Sequence, residues 1–129
     1  MPKAPTPESH LPLSVPVHQI LLSLADEDRH GYSVIQDVRE RTDGEVALTA
    51  STLYGALSRM LKNGLIQEVE DPNAGPSGRD GRRRCYRVTE YGKRVARAEV
   101  SRLIRTIEQA RATGLSLEPL PPLLTRRDS

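Results

Sequence analysis

Ser51, Thr52, Tyr54, Ser58, Arg59 and Lys62 fall in one short stretch. Wound at 3.6 residues per turn, it puts them opposite Leu53, Leu57, Met60 and Leu61. Hydroxyls, a phenol, a guanidinium and an ammonium exposed together suit hydrogen bonding and anion pairing, with no group poised to break a bond. A polynucleotide presents both kinds of target. Ser51 and Thr52, next to the free N–H groups of a helix start, suit base edges or phosphates; Tyr54 and Ser58 follow along the same face, and Arg59 and Lys62 suit backbone phosphates. Tyr54 also admits a packing role, with its ring against the β-wing that follows and only its hydroxyl exposed. Gly55 costs this helix on the order of 1 kcal/mol relative to Ala; close approach of a DNA backbone, tight packing and simple tolerance all account for it.

A second basic group follows. Arg79, Arg82, Arg83 and Arg84 border a loop rich in Pro, Gly, Asn and Asp that separates two β-prone runs at 65–70 and 83–88. Alternation in the second run places Arg84, Tyr86 and Val88 on one face and Arg83, Cys85 and Arg87 on the other. Phosphate contact, with one arginine reaching into the minor groove, is the expected chemistry. Charge distribution agrees: residues 79–111 hold eleven Lys or Arg against four Asp or Glu, while residues 1–78 hold six against eleven. The overall +2 hides a basic half suited to a polyanion.

The elements that must position these groups are marked locally. Thr49 caps the reading helix over 50–63, and Asn63-Gly64 ends it, with Leu65 placed for a Schellman contact to Met60. Upstream, Ser14 caps a helix that turns Val17, Ile20, Leu21 and Leu24 inward and stops near Asp26-Glu27-Asp28. A second helix from Gly31 to about Thr42 is expected to bury Tyr32, Ile35 and Val38, and residues 46–48 to form a third, edge strand. After Thr89 the longest helix runs to about Ala112, with Gly114 as its stop. Along it Ala96, Val100, Leu103, Ile107 and Ala110 step by four, three, four and three, with Ile104 widening the seam. That pattern predicts a dimerisation helix; a helix lying on its own domain is the plainer reading.

The expected fold is mainly α with a small β-wing, a winged helix-turn-helix followed by a long C-terminal dimerisation helix. Its parts are an N-terminal arm (1–12), a DNA-binding domain (13–88), the dimerisation helix (89–113) and a Pro-rich flexible tail (114–129). With 129 residues, no Trp, no Phe and four tyrosines, the core is small, which favours a homodimer. No apolar run is long enough for a membrane span and no secretory leader is read, so a cytoplasmic protein is expected. A single cysteine, Cys85, forms no intramolecular disulfide. His10, His18 and His30 lack metal-ligand spacing, and neither a phosphate-cradling loop nor a catalytic nucleophile motif can be assembled, so no metal, cofactor or enzymatic activity is expected.

Four segments together carry a family resemblance: His30-Gly31-Tyr32, Leu48-Thr49-Ala50-Ser51-Thr52-Leu53-Tyr54-Gly55-Ala56-Leu57, Asn63-Gly64-Leu65-Ile66 and Gly81-Arg82-Arg83-Arg84-Cys85-Tyr86-Arg87-Val88-Thr89-Glu90-Tyr91-Gly92. In this order and spacing they resemble the PadR family of transcriptional regulators, over roughly residues 13 to 110, and specifically its short branch with a single helix after the wing. The resemblance implies a homodimeric repressor that binds double-stranded DNA at a palindromic operator, and a small-molecule effector of unidentified chemistry. The chain departs from the drug-binding type in having no Trp to stack a flat ligand. A winged-helix protein-interaction module and a small-molecule sensor, with Tyr32, Tyr91 and His18 as conceivable pocket residues, are the alternative readings.

Overall fold

Residues 5–71 and 84–115 are described by the computed structural model. In chain order they form α1 (Val15–Asp26), β1 (Arg29–His30), α2 (Gly31–Arg41), α3 (Ala50–Lys62), β2 (Ile66–Val69), β3 (Cys85–Val88) and α4 (Glu90–Ala112), preceded by one turn of 3-10 helix at Pro7–His10. The architecture is a winged helix: a helical core and a three-stranded antiparallel sheet of order β1-β3-β2.

Local signals account for most element ends. The Ser14 hydroxyl accepts from the Val17 N–H at 3.3 Å, and Pro16 occupies the first turn of α1, where no intrahelical donor is needed. At the end of α3, the Gly64 N–H donates to Leu61 O and the Leu65 N–H to Met60 O, while Gly64 takes φ +75°. This is the two-bond Schellman stop expected from Asn63-Gly64.

Two expectations need correction. The third strand is Arg29–His30, paired with Tyr86 and Cys85, and residues 46–48 form no strand. The outer edge of β3 is taken by residues arriving from α1. Residues 46–48 instead link α2 to α3, with Leu48 buried and Val46 packed against the core. The second concerns α2: Gly31, Val34 and Val38 are its buried residues and Ile35 packs against the core as expected, whereas Tyr32 is 67% exposed. Val34 and Val38, four apart, set the helix phase and turn Tyr32 outward.

By contact the chain divides into two units, 1–99 and 100–129. The first has a continuous core of Ile20, Leu21 and Leu24 from α1, Val34 and Val38 from α2, Leu53, Leu57 and Met60 from α3, Tyr86 and Val88 from β3, and Val95 from α4. It also includes residues 5–12 of the expected arm. The Tyr91 hydroxyl lies 2.9 Å from the Pro5 carbonyl and 2.9 Å from His10 Nε2, and the Leu13 N–H donates to the buried Glu99 carboxylate at 3.2 Å. The described part of the second unit is the rest of α4 and the turn closed by Gly114 at φ +83°. Among the described residues no helix is long and apolar enough to cross a membrane.

Candidate nucleic-acid interface

Helix α3 buries Leu53, Ala56, Leu57 and Met60. Opposite them Ser51, Thr52, Tyr54, Ser58, Arg59 and Lys62 are all exposed, as the spacing requires; Leu61 is half-buried. At the helix start Thr49 Oγ1 accepts the Thr52 N–H at 3.1 Å, and the two hydroxyls lie 3.0 Å apart. With the Thr49 proton directed to Thr52, the Thr52 hydroxyl keeps its own proton to donate outward. Gly55 is half-buried, and among the described residues a Cβ placed there would meet only Arg59 Nη1 at 3.7 Å. Tight packing among the described residues therefore does not explain this glycine.

Tyr54 packs its ring against α2. It is 46% exposed, yet its ring lies across Gly31: a Cβ there would sit 2.5 Å from its hydroxyl and 2.9 Å from Cζ. The glycine of one motif and the tyrosine of another are thus a single contact between α2 and α3, a relation that no local pattern contains.

The charges around this face sort into paired and open. Arg87 grips Asp28 with two nitrogens, at 3.1 and 2.8 Å. Asp28 in turn raises the Arg87 guanidinium above its ordinary range through that hydrogen bond and its charge. Arg29 bonds Asp26 at 2.7 Å and Arg41 bonds Asp37 at 3.0 Å. Burial pushes the Asp37 carboxyl up, but the nearby Ser23 hydroxyl, the hydrogen bonds from Arg41 and the charges of Arg29 and Arg41 outweigh it and hold it below its ordinary value. The 26–28 cluster, though exposed, is therefore an ion-pair node. Arg84 pairs with Glu68 across the wing at 2.8 Å, both well exposed. By contrast Arg59 and Lys62 enter no ion pair among the described residues. Arg79, Arg82 and Arg83 lie outside the described residues.

In β3 the alternation holds for Tyr86, Val88 and the exposed Arg87, but Cys85 is buried as well, because β1 covers it. Burial, then Asp28 and Asp71, push its thiol up, so it stays protonated. His30 stands at the N-cap position of α2 without a capping bond; its ring reaches Asp71 and the Arg84 carbonyl instead. Among the described residues no three His, Cys, Asp or Glu side chains gather to hold a metal ion.

Of the proposed seam, Ala96 is spent in the core of the first unit, whereas Val100, Leu103 and Ile104 are 40%, 38% and 48% exposed. Ile107 and Ala110 are half-buried. Of the conceivable pocket residues, Tyr32 faces solvent and Tyr91 is held by Pro5 and His10.

The model of the transcriptional regulator PadR-like family matches residues 20–98. An uncharacterized protein of Lysinibacillus sphaericus, designated X, is 32% identical over 74 residues, 57% of this chain. The match spans 64% of that relative, less than two thirds of its length. Among solved structures, a PadR family transcription regulator from Clostridium difficile R20291 is 31% identical, with a TM-score of 0.62 over 80% of this chain and 100% of its own. A transcriptional regulator from Clostridium thermocellum is 26% identical, with a TM-score of 0.62 over 75% of this chain and 87% of its own.

Proposed function

The chain belongs to the PadR-like family of transcriptional regulators, and we propose that it acts as a homodimeric repressor that binds a palindromic DNA operator. Helix α3 lies in the major groove, with Ser51 and Thr52 at base edges, Tyr54 and Ser58 further along, and Arg59 and Lys62 on phosphates. Arg84, with Arg79, Arg82 and Arg83 by sequence, contacts the backbone or the minor groove. Val100, Leu103, Ile104, Ile107 and Ala110 of α4 pair two protomers, and Ala96 supports the seam from within. This assigns 13–88 to DNA binding and 89–113 to dimerisation.

The observation that carries the proposal is the pairing pattern. Arg29, Arg41, Arg84 and Arg87 have carboxylate partners, while Arg59 and Lys62, beside exposed hydroxyls, have none among the described residues. A face of uncompensated cations and outward donors matches a polyanion.

Selection of genomic fragments by the purified protein at about 150 mM salt, near physiological ionic strength, followed by footprinting, tests it. A palindromic protected site supports the dimeric regulator. Ser51→Ala and Thr52→Ala then alter discrimination between sites, and Arg84→Ala weakens all sites alike and lowers the salt slope by about one. Binding without sequence preference, or none, favours the sensor or protein-interaction reading.

A further inference from the structure

Tyr32 is 67% exposed, more than any other large apolar side chain among the described residues, and it enters no hydrogen bond or ring contact with them. Val34 and Val38 face the core, and the phase they set turns Tyr32 outward. The residue before it is Gly31, where an added Cβ would sit 2.5 Å from the Tyr54 hydroxyl. Tyr32 therefore stands one residue from the point at which α2 meets α3, and α3 sets its own half-exposed phenol there. Within α2 and α3, these two tyrosines are the large apolar side chains left exposed.

A tyrosine in this position offers one neutral donor at the end of a flat apolar ring. The outer stripe of α2 continues from it with Gln36 and Arg39, four and seven residues on and both exposed. Each of the three side chains can donate, and none is a carboxylate. The half-buried Asp37 is turned to Arg29 and Arg41, while Arg39 enters no ion pair among the described residues. A phosphate oxygen only accepts, so a stripe of donors without a carboxylate suits it, and the ring gives the neighbouring sugar an apolar surface to lie on. A protein partner would call for a contiguous apolar patch. On these two helices the exposed apolar surface is two phenols set among donors.

We propose that Tyr32 is a DNA-contacting residue, its hydroxyl donating to a backbone phosphate beside the groove that α3 enters and so fixing how the reading helix is seated. This rests on the DNA-binding function above and adds to it a contact made by α2. Because a phenol is uncharged, its contact positions the duplex without releasing a counterion. Salt dependence thus separates Tyr32 from Arg59 and Lys62, and indifference to sequence separates it from Ser51 and Thr52.

The test measures the affinity of wild type, Tyr32→Phe and Tyr32→Ala for a fluorescent duplex carrying the selected site and for a scrambled duplex, each across a salt series. Phosphate-ethylation interference on the selected duplex is then compared between wild type and Tyr32→Phe. Phenylalanine keeps the ring and removes only the donor, at a position where the fold does not depend on it. Tyr32→Phe is expected to bind both duplexes about 3- to 10-fold more weakly, the range of one lost hydrogen bond, with an unchanged salt slope. Tyr32→Ala loses at least as much. One phosphate whose ethylation weakens wild-type binding becomes indifferent in Tyr32→Phe, a signature that a general loss of structure does not produce. Wild-type affinity in both variants, or an ethylation pattern that Tyr32→Phe leaves unchanged, overturns the contact. A loss confined to the selected duplex, or accompanied by a changed slope, overturns it too, since base reading or displaced cations would then be the cause. Wild-type protein that binds neither duplex refutes the DNA-binding function itself, and this contact with it.

Discussion

Gly92→Ala separates helix propensity from packing, because the two give opposite signs. Gly92 is in the first turn of α4, and alanine is ordinarily worth up to about 1 kcal/mol more than glycine inside a helix. Here an added Cβ would collide with the Leu65 carbonyl oxygen and lie 2.9 Å from Val88 Cγ2. The first obstacle is backbone and cannot rotate aside, so α4 must retreat from the turn between α3 and β2. Thr89 holds that contact: its N–H donates to Leu65 O at 3.0 Å and its hydroxyl to Gly64 O at 2.7 Å. Overpacking costs about 1–3 kcal/mol, and each weakened hydrogen bond adds roughly 0.5–1.5 kcal/mol. After the propensity gain, a net loss of about 2–4 kcal/mol remains, a large share of the roughly 5–15 kcal/mol that holds a domain together. Thermal unfolding followed by circular dichroism, at matched protomer concentration, should show Tm lowered by on the order of 10 °C. An unchanged or higher Tm would refute the argument, since propensity would then have prevailed and the contact would be one the helix readily relaxes.

Gly31→Ala should behave differently. Its Cβ meets the outer end of the half-exposed Tyr54, which can swing away, so chemical denaturation should show a change within about 1 kcal/mol while affinity for the selected duplex drops. Glu68→Gln should tighten DNA binding: it frees Arg84 from an exposed pair worth about 0.2–1 kcal/mol, an up to roughly fivefold gain in an anisotropy titration at low salt. Leu103→Asp should leave the fold intact, because the side chain is substantially exposed, and yield a monomer in analytical ultracentrifugation. A folded dimer of this variant would place the interface elsewhere. The depressed Asp37 carboxyl contributes stability that is complete above its unfolded value and lost as pH falls through its folded one. Asp37→Asn should therefore unfold at neutral pH more easily than wild type, with the difference shrinking in acid denaturation curves.

The parts of this molecule legible from sequence are those that local chemistry decides. Ser14 and Thr49 stand one residue before the helices they cap, Asn63-Gly64 closes α3, and the apolar spacing of α3 separates its exposed residues from its buried ones. What escaped depends on partners distant in the chain. Arg29–His30 is too short to show a strand pattern and is a strand only because β3 lies beside it. Tyr32 looked like a core residue because an apolar ring at that spacing usually is one; Val34 and Val38 decided otherwise. Gly31 beneath Tyr54, Gly92 against Leu65 and His30 between Asp71 and Arg84 join residues whose proximity no periodicity records. The ion pairs of the exposed 26–28 cluster belong here too, since Arg41 and Arg87 arrive from other elements.

The strand order has a consequence for synthesis. β3, the last strand in the sequence, is the middle one of the sheet, and both β1 and β2 depend on it for every pairing they make. A nascent chain emerging from the ribosome can wind α1, α2 and α3, whose bonds are local, but it has no sheet until Val88 is clear. The Leu13 amide waits longer still, until Glu99 emerges. The first unit is therefore completed from its C-terminal side, after nearly all of it has been made. Until then Ile66 and the other apolar residues that the sheet and α4 will cover remain open to whatever meets the growing chain first.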